Sequence, residues 1–258
     1  MTVVTMKIGI VISGGDVSGI NNFIFQVAKL ASAEITIFNG GIPGLLDKNH
    51  QEIAWRDLVD FSICSLPVIT SGRTTRKLLR SEYETIARKI KSLRLDVLIM
   101  AGGDGSLQFL NTLSEFDINC FGVGMTIDND VYGSDYTIGF STACEQIIKE
   151  VSRLRNTGRA LPGRVFMVEI LGGYCGELTL QSAIKSNADI ALIPEAQMPL
   201  EDLAERVRRK LREQNSVVIL CSEGYTREYS PGFQGAIDTM IKQLEPRIGV
   251  RIRKTIIG

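Results

Sequence analysis

Val97-Leu98-Ile99-Met100-Ala101-Gly102-Gly103-Asp104-Gly105-Ser106 reads as a strand that runs straight into a glycine turn. Four apolar residues in succession, without polar alternation, suit a strand covered on both faces, as strands of parallel sheets are. A helix is expected directly after the glycines. Binding residues of open α/β sheets gather at this carboxyl end, where loops feed helix N-termini.

The same order recurs in both directions along the chain. Strands are expected at residues 7–12, 35–38, 96–100, 120–123, 165–170, 190–193, 217–221 and 250–257. Between them, apolar residues take helical spacing: Tyr83, Ile86, Ile90 and Leu93, then Phe140, Cys144, Ile147, Val151 and Leu154, then Leu200, Leu203, Val207 and Leu211. This alternation predicts an α/β fold with mainly parallel sheets, changing lobe near Gly139. Glycine makes up 25 of the 258 residues, above the usual share of about 7%. The glycines concentrate at strand exits: Gly14-Gly15, Gly40-Gly41, Gly102-Gly103 and Gly172-Gly173.

Apolar residues at 44% and charged residues at 22% exclude a disordered or fibrous chain. Lys plus Arg equals Asp plus Glu, 29 each, so no net charge draws the protein to nucleic acid or an anionic membrane. No signal peptide and no apolar span of about 18 residues is found, and a cytoplasmic protein is expected. Cys64, Cys120, Cys144, Cys175 and Cys221 each sit in or beside apolar runs and read as buried free thiols. The single histidine, His50, falls in a polar stretch read as a loop, which rules out a Ser-His-Asp triad and a multi-histidine metal site.

Chemistry concentrates in four stretches. Ser13-Gly14-Gly15-Asp16-Val17-Ser18-Gly19 offers backbone that approaches a polyphosphate closely, at a helix N-terminus that favours negative charge. By itself it reads equally as a structural turn. Gly102-Gly103-Asp104-Gly105-Ser106 is sharper, because a carboxylate among such glycines repels a polyphosphate unless a divalent cation lies between them. Asp104 is therefore a candidate Mg2+ partner, with a plain helix N-cap as the alternative. Thr126-Ile127-Asp128-Asn129-Asp130 adds two carboxylates at the next strand exit. With Asp104 they form a trio that a cation would reconcile, while one of them takes a proton from a substrate hydroxyl; a solvated acidic loop is the other reading. Ser71-Gly72-Arg73-Thr74-Thr75-Arg76-Lys77 supplies cations for a transferring phosphoryl group, or only a wet basic surface.

Taken in order, these stretches resemble the ATP-dependent 6-phosphofructokinase family. The resemblance runs from about residue 7 to residue 258 and includes Asp-Tyr-Thr-Ile-Gly-Phe (135–140) and Gly-Tyr-Cys-Gly-Glu-Leu-Thr (173–179). Gly-Gly-Asp-Gly also occurs in NAD kinases and lipid kinases; the ordered set with Thr-Ile-Asp-Asn-Asp is the specific feature. The resemblance implies two Rossmann-like lobes, a nucleotide-binding lobe over 1–139 and an acceptor-binding lobe over 140–258, in a homodimer or homotetramer. Gly15, Arg73, Thr74, Gly103, Asp104, Gly105 and Ser106 would meet ATP, and Asp104 and Asp130 would serve Mg2+. Asp128 would be the base, with Arg73 and Thr126 beside it at the reacting groups. A small-molecule hydroxyl acceptor would lie against Thr126, Asp128, Gly172, Gly173 and Glu223. Arg164 and Arg253 would reach an anionic sugar phosphate across a subunit interface.

Departures from the pattern shape the expected substrate. ATP users of the family carry Gly at position 105, as here, and pyrophosphate users carry Asp. Met125 stands where ATP users have Gly and pyrophosphate users Lys, so ATP is the expected donor. The family's Met-Gly-Arg acceptor loop reads Leu171-Gly172-Gly173, one guanidinium fewer. A His and an Arg that the resemblance places around the sugar phosphate would follow residue 258. Each charge-assisted bond is worth about 1.5–3 kcal/mol, so the acceptor site is expected to be weakened. The expected activity is transfer of the γ-phosphate of ATP to a hydroxyl of a small sugar phosphate or related metabolite. A kinase for a different, non-glycolytic metabolite, a non-catalytic nucleotide-binding regulatory relative, and an NAD-kinase-like enzyme stand as alternatives.

Overall fold

A computed structural model describes residues 6–15, 17–47, 49–62, 66–74, 76–227 and 236–257. Asp16, Cys64, Thr75 and Gly258, which entered the sequence reading, lie outside the described residues. The chain divides into two compact units, Met1–Thr126 with Asp130–Gly139, and Ile127–Asn129 with Phe140–Gly258.

In the first unit, β1 (Lys7–Ser13), β2 (Glu34–Phe38), β3 (His50–Ile53), β4 (Val97–Gly102), β5 (Cys120–Thr126) and β6 (Ile138–Gly139) form one sheet in the order β3-β2-β1-β4-β5-β6. All pairings are parallel except β2–β3. The strand order reverses at β1, which sets Ser13 opposite Gly102 at the carboxyl ends of β1 and β4. A ligand crevice is expected at such a switch point. β3 corrects the loop reading of His50: it pairs antiparallel with β2, and the His50 ring lies 5.7 Å from that of Phe38. Its polar sequence concealed it because a sheet edge is held by backbone hydrogen bonds and tolerates charged side chains.

The helices of this unit are α1 (Ile20–Ala31), α2 (Gly41–Leu46), α3 (Val59–Ser62), α4 (Arg80–Ser92) and α5 (Asp104–Ser114). The helical stripe read from the sequence buries Ile86 and Ile90 against Leu98, Met100, Leu110 and Leu113, with Tyr83 and Leu93 at its margin. Burying each such side chain contributes about 1.5–3 kcal/mol.

The second unit contains α6 (Phe140–Ala160), β7 (Arg164–Ile170), α7 (Glu177–Ser186), β8 (Ile190–Leu192), α8 (Leu200–Glu213), β9 (Ser216–Ser222), α9 (Glu223–Thr226), α10 (Ala236–Ile248) and β10 (Ile252–Ile257). Its four strands are all parallel, in the order β10-β7-β9-β8. Alternate residues serve opposite faces. Val165, Met167, Val217 and Ile219 pack with Leu203, Val207 and Leu244. Phe166, Val168, Val218 and Leu220 pack with Phe140, Cys144, Ile147 and Val151. Two covered faces explain why these strands read as unbroken apolar runs. Cys144 and Cys221 are buried as expected, whereas Cys120 and Cys175 are only partly covered. Burial pushes the Cys120 thiol up to about 11 and the Cys221 thiol higher still. Among the described residues no helix is long and apolar enough to cross a membrane.

Candidate active site

Strand exits of the first unit are stapled together through backbone. The Gly14 N–H donates to the Gly72 carbonyl at 3.2 Å, and the Gly40 N–H to the Thr70 carbonyl at 2.8 Å. Short hydroxyl side chains add three bonds: Ser13 Oγ to the Gly72 carbonyl (3.3 Å), Ser71 Oγ to the Gly14 carbonyl (3.1 Å) and Ser106 Oγ to the Ser13 carbonyl (3.1 Å). Position 72 has no room for a side chain, since a Cβ there would fall 2.7 Å from the Gly40 carbonyl carbon. This close seam sets Arg73 beside Gly15, with Nη2 3.8 Å from where a Gly15 Cβ would be. The Oγ1 of Thr74 is buried and has no hydrogen-bond partner among the described residues. A buried hydroxyl in that state suits a polar ligand atom.

Gly103 is the extended N-cap of α5 and Asp104 its first residue, so Asp104 does not itself cap the helix. Asp104 is exposed, and its Oδ2 accepts from Gln108 Nε2 at 2.6 Å. A Cβ on Gly105 would meet nothing within 4 Å, and one on Gly103 only the Thr126 Cβ at 4.0 Å. The start of α5 is thus an open surface with little side-chain cover, beside the positive end of a helix dipole, and it fits a phosphate. Of the neighbouring cations, Arg76 is engaged elsewhere. It binds both oxygens of Glu82, at 2.8 and 2.6 Å, and this bond together with the Leu79 N–H holds the Glu82 carboxyl down at about 2.

Thr126 ends β5, and its carbonyl accepts from Thr137 Oγ1 at 2.8 Å. Asn129 turns the chain with φ 55°, a left-handed conformation that Asn tolerates better than most residues. Across this turn Asp128 belongs to the second unit, while Asp130, exposed, belongs to the first. No group of three or more His, Cys, Asp or Glu side chains that could hold a metal occurs among the described residues. Asp104 leans along its own helix toward Gln108 and Asp130 stays in solvent, where mutual repulsion is small. Met125, only 2% exposed, is a core residue of the first unit.

In the second unit the exits of β7 and β9 meet. The Gly173 N–H donates to Glu223 Oε1 at 3.0 Å. Gly173 has φ 59°, and a Cβ on it would stand 3.3 Å from Asp128 Oδ2. Asp128, Gly172, Gly173 and Glu223 are therefore brought to one place. Arg164 is not among them: it begins β7, a seven-residue strand, roughly 20 Å before the β7 exit at the usual rise. Arg253 pairs with Phe166 near that same far end. One residue escaped the sequence reading. Arg227 places Nη2 3.9 Å from Glu223 Oε1, and its guanidinium carbon lies 3.3 Å from the centroid of the Tyr174 ring. A lone arginine one turn past a strand carries no local signal; only tertiary folding brings residue 227 to residue 174.

The family profile described as Phosphofructokinase matches residues 7–258. A "Probable ATP-dependent 6-phosphofructokinase" of Mycoplasma pneumoniae is 36% identical over 225 residues, covering 85% of this chain and 67% of that protein. A "Pyrophosphate--fructose 6-phosphate 1-phosphotransferase" of Thermoproteus tenax is 30% identical over 263 residues, covering 98% of this chain and 78% of that protein. The phosphofructokinase structure from Saccharomyces cerevisiae superposes with a TM-score of 0.83 at 26% identity; 98% of this chain covers 38% of the yeast chain. On the strength of a profile match that spans nearly its whole length, the chain belongs to the phosphofructokinase family of phosphotransferases.

Proposed function

We propose that this chain transfers the γ-phosphoryl group of ATP to a hydroxyl of a sugar phosphate or closely related metabolite. The observation that carries the reading is the open start of α5 beside Arg73 and the buried Thr74 hydroxyl. Gly15, Gly103, Gly105 and Ser106 would complete the donor cradle in a nucleotide-binding lobe, residues 1–139, with residues 140–258 serving the acceptor. Mg2+ would neutralise charge on the donor phosphates, and the hard oxygens of Asp104 and Asp130 would hold it together with those phosphates.

Asp128 would take the proton of the acceptor hydroxyl as its oxygen bonds to phosphorus and the bond to ADP breaks. Arg73 offsets charge on the transferred group. Thr126, Gly172, Gly173 and Glu223 would position the acceptor. Arg164 and Arg253, far from the β7 exit, would serve the acceptor phosphate of a neighbouring copy, which requires a homodimer or homotetramer.

A coupled assay of ADP release with fructose 6-phosphate tests this. Asp128→Asn is expected to lower kcat by about 10²–10⁴-fold while ATP binding, followed by fluorescence titration, stays the same; unchanged turnover would reject Asp128 as the base. Pyrophosphate is the second donor to try, because a relative at 30% identity is named for it.

A further inference from the structure

Arg73 stands in a segment with little regular structure of its own. Apart from one bridge between Gly72 and Ser13, residues 66–74 belong to no helix or strand. Arg73 is exposed, so its backbone, rather than packing around its side chain, decides where the guanidinium reaches. The Gly14 N–H and the Ser13 hydroxyl hold that backbone at the Gly72 carbonyl. A chain held at one point can still turn about it; a second fixed point removes that freedom. Asn39, one residue past the end of β2, supplies the second point. Its Oδ1 accepts from the Thr70 N–H at 2.9 Å and from Thr70 Oγ1 at 3.3 Å, and the same hydroxyl accepts from the Gly40 N–H at 3.0 Å. An amide oxygen has two lone pairs, so one Asn39 atom serves both donors. Asn39 is itself fixed, between the fully buried Phe38 and the bond from its own N–H to the Asn49 carbonyl at 3.0 Å.

We infer that Asn39 is a positioning residue for phosphoryl transfer: by holding Thr70 it aims Arg73, three residues on, at the group being transferred. The inference rests on the kinase reading above, in which Arg73 offsets charge on that group. It adds a residue outside the sequence stretches that pointed to phosphoryl transfer chemistry. Aim of this kind is costly to lose, since a displacement of about 1 Å at a reacting group can cost about 10²-fold in rate.

Steady-state kinetics on the full chain with ATP and fructose 6-phosphate, run as a double-mutant cycle, test it. Asn39→Leu, which removes the acceptor oxygen, is expected to lower kcat about 10–100-fold with KM for fructose 6-phosphate within about threefold. Asn39→Asp keeps an oxygen in the same place and is expected to hold kcat within about threefold of wild type. Beside Arg73→Gln, Asn39→Leu should cost less than about threefold more, because the group it aims is gone. A purely structural Asn39 would lower the melting temperature and leave kcat of the folded enzyme alone, or would multiply its loss with that of Arg73→Gln. Either result overturns the inference, and so does Asn39→Asp as slow as Asn39→Leu. Circular dichroism establishes that each variant is folded. Should Asn39→Leu not fold, Thr70→Val removes only the hydroxyl; a kcat loss of about three- to tenfold that vanishes beside Arg73→Gln supports the inference, and an unchanged kcat overturns it. If the wild type transfers phosphate from neither ATP nor pyrophosphate, the kinase reading fails, and the same cycle is read as ATP affinity by calorimetric titration. Binding about tenfold weaker in Asn39→Leu, with no further loss beside Arg73→Gln, supports Asn39 as the residue that places Arg73. Equal binding, multiplied losses, or no binding by the wild type sinks it.

Discussion

The strand exits of the two units are built from different materials. In the first, Gly14, Gly40, Thr70 and Gly72 join through their own backbones, helped by the short hydroxyls of Ser13, Ser71 and Ser106. In the second, long side chains hold the loops: Glu223 takes the Gly173 N–H, Glu195 takes the Gly176 N–H at 2.7 Å, and Arg227 stacks on Tyr174. A backbone cradle suits a triphosphate, which is the same in every donor molecule and is gripped by N–H groups without regard to side-chain identity. Side-chain scaffolding suits an acceptor, because changing one residue changes what is recognised while the sheet beneath is untouched. On the proposed reading, conservative chemistry would lie in the first unit and selectivity in the second.

Breaking the backbone seam should have the largest effect. Gly72→Ala forces a Cβ against the Gly40 carbonyl, an atom that cannot swing aside. It is expected to cost about 3 kcal/mol of stability and to abolish ATP binding, measured by urea unfolding and nucleotide titration. A smaller change leaves the seam intact and alters only the opening above it. Gly105→Asp has space for its side chain, so folding should persist, but its carboxylate would face the donor phosphates. KM for ATP is expected to rise about 10–100-fold, with pyrophosphate affected less; equal effects on both donors would show that position 105 does not sort them.

The smallest effect is expected beneath the β7 and β9 exits of the second unit. Glu169 is 8% exposed, and burial raises its carboxyl above the ordinary 4.5 despite the bond it accepts from Thr226 Oγ1 at 3.4 Å. Because the folded state holds this proton more tightly than the unfolded one, wild-type stability is fullest below the ordinary value and falls as pH rises through the raised one. Glu169→Gln has no such loss. Thermal unfolding across pH 4 to 8 should therefore show the two proteins level at the acid end and the variant ahead by about 2 °C at the neutral end; parallel curves would mean that Glu169 does not titrate in this range.

Much of the fold was legible because the physics that writes it is local. A doubly covered parallel strand must be apolar at every position, so Val97-Leu98-Ile99-Met100 and Val217-Val218-Ile219-Leu220 announce themselves. The helix containing Ile86 and Ile90 does so through its 3.6-residue period. β3 and β6 did not, since a polar edge strand and a two-residue strand carry no apolar pattern. The glycine exits of the first unit were legible for a related reason: close backbone approach excludes every other residue, and position 72 shows it directly.

The amino-acid order alone determined the alternation of strands and helices, the glycine-lined exits, and the Thr126–Asp130 run that marks the family. It did not determine which side chains meet. That Asp104 leans toward Gln108, that Arg76 is spent on Glu82, and that Arg227 rests on Tyr174 were decided only in three dimensions. Backbone preferences are set by each residue and its neighbours, but a charge–charge or stacking contact depends on distance through space. Residues 174 and 227 have no relation along the chain until parallel strands bring their exits side by side.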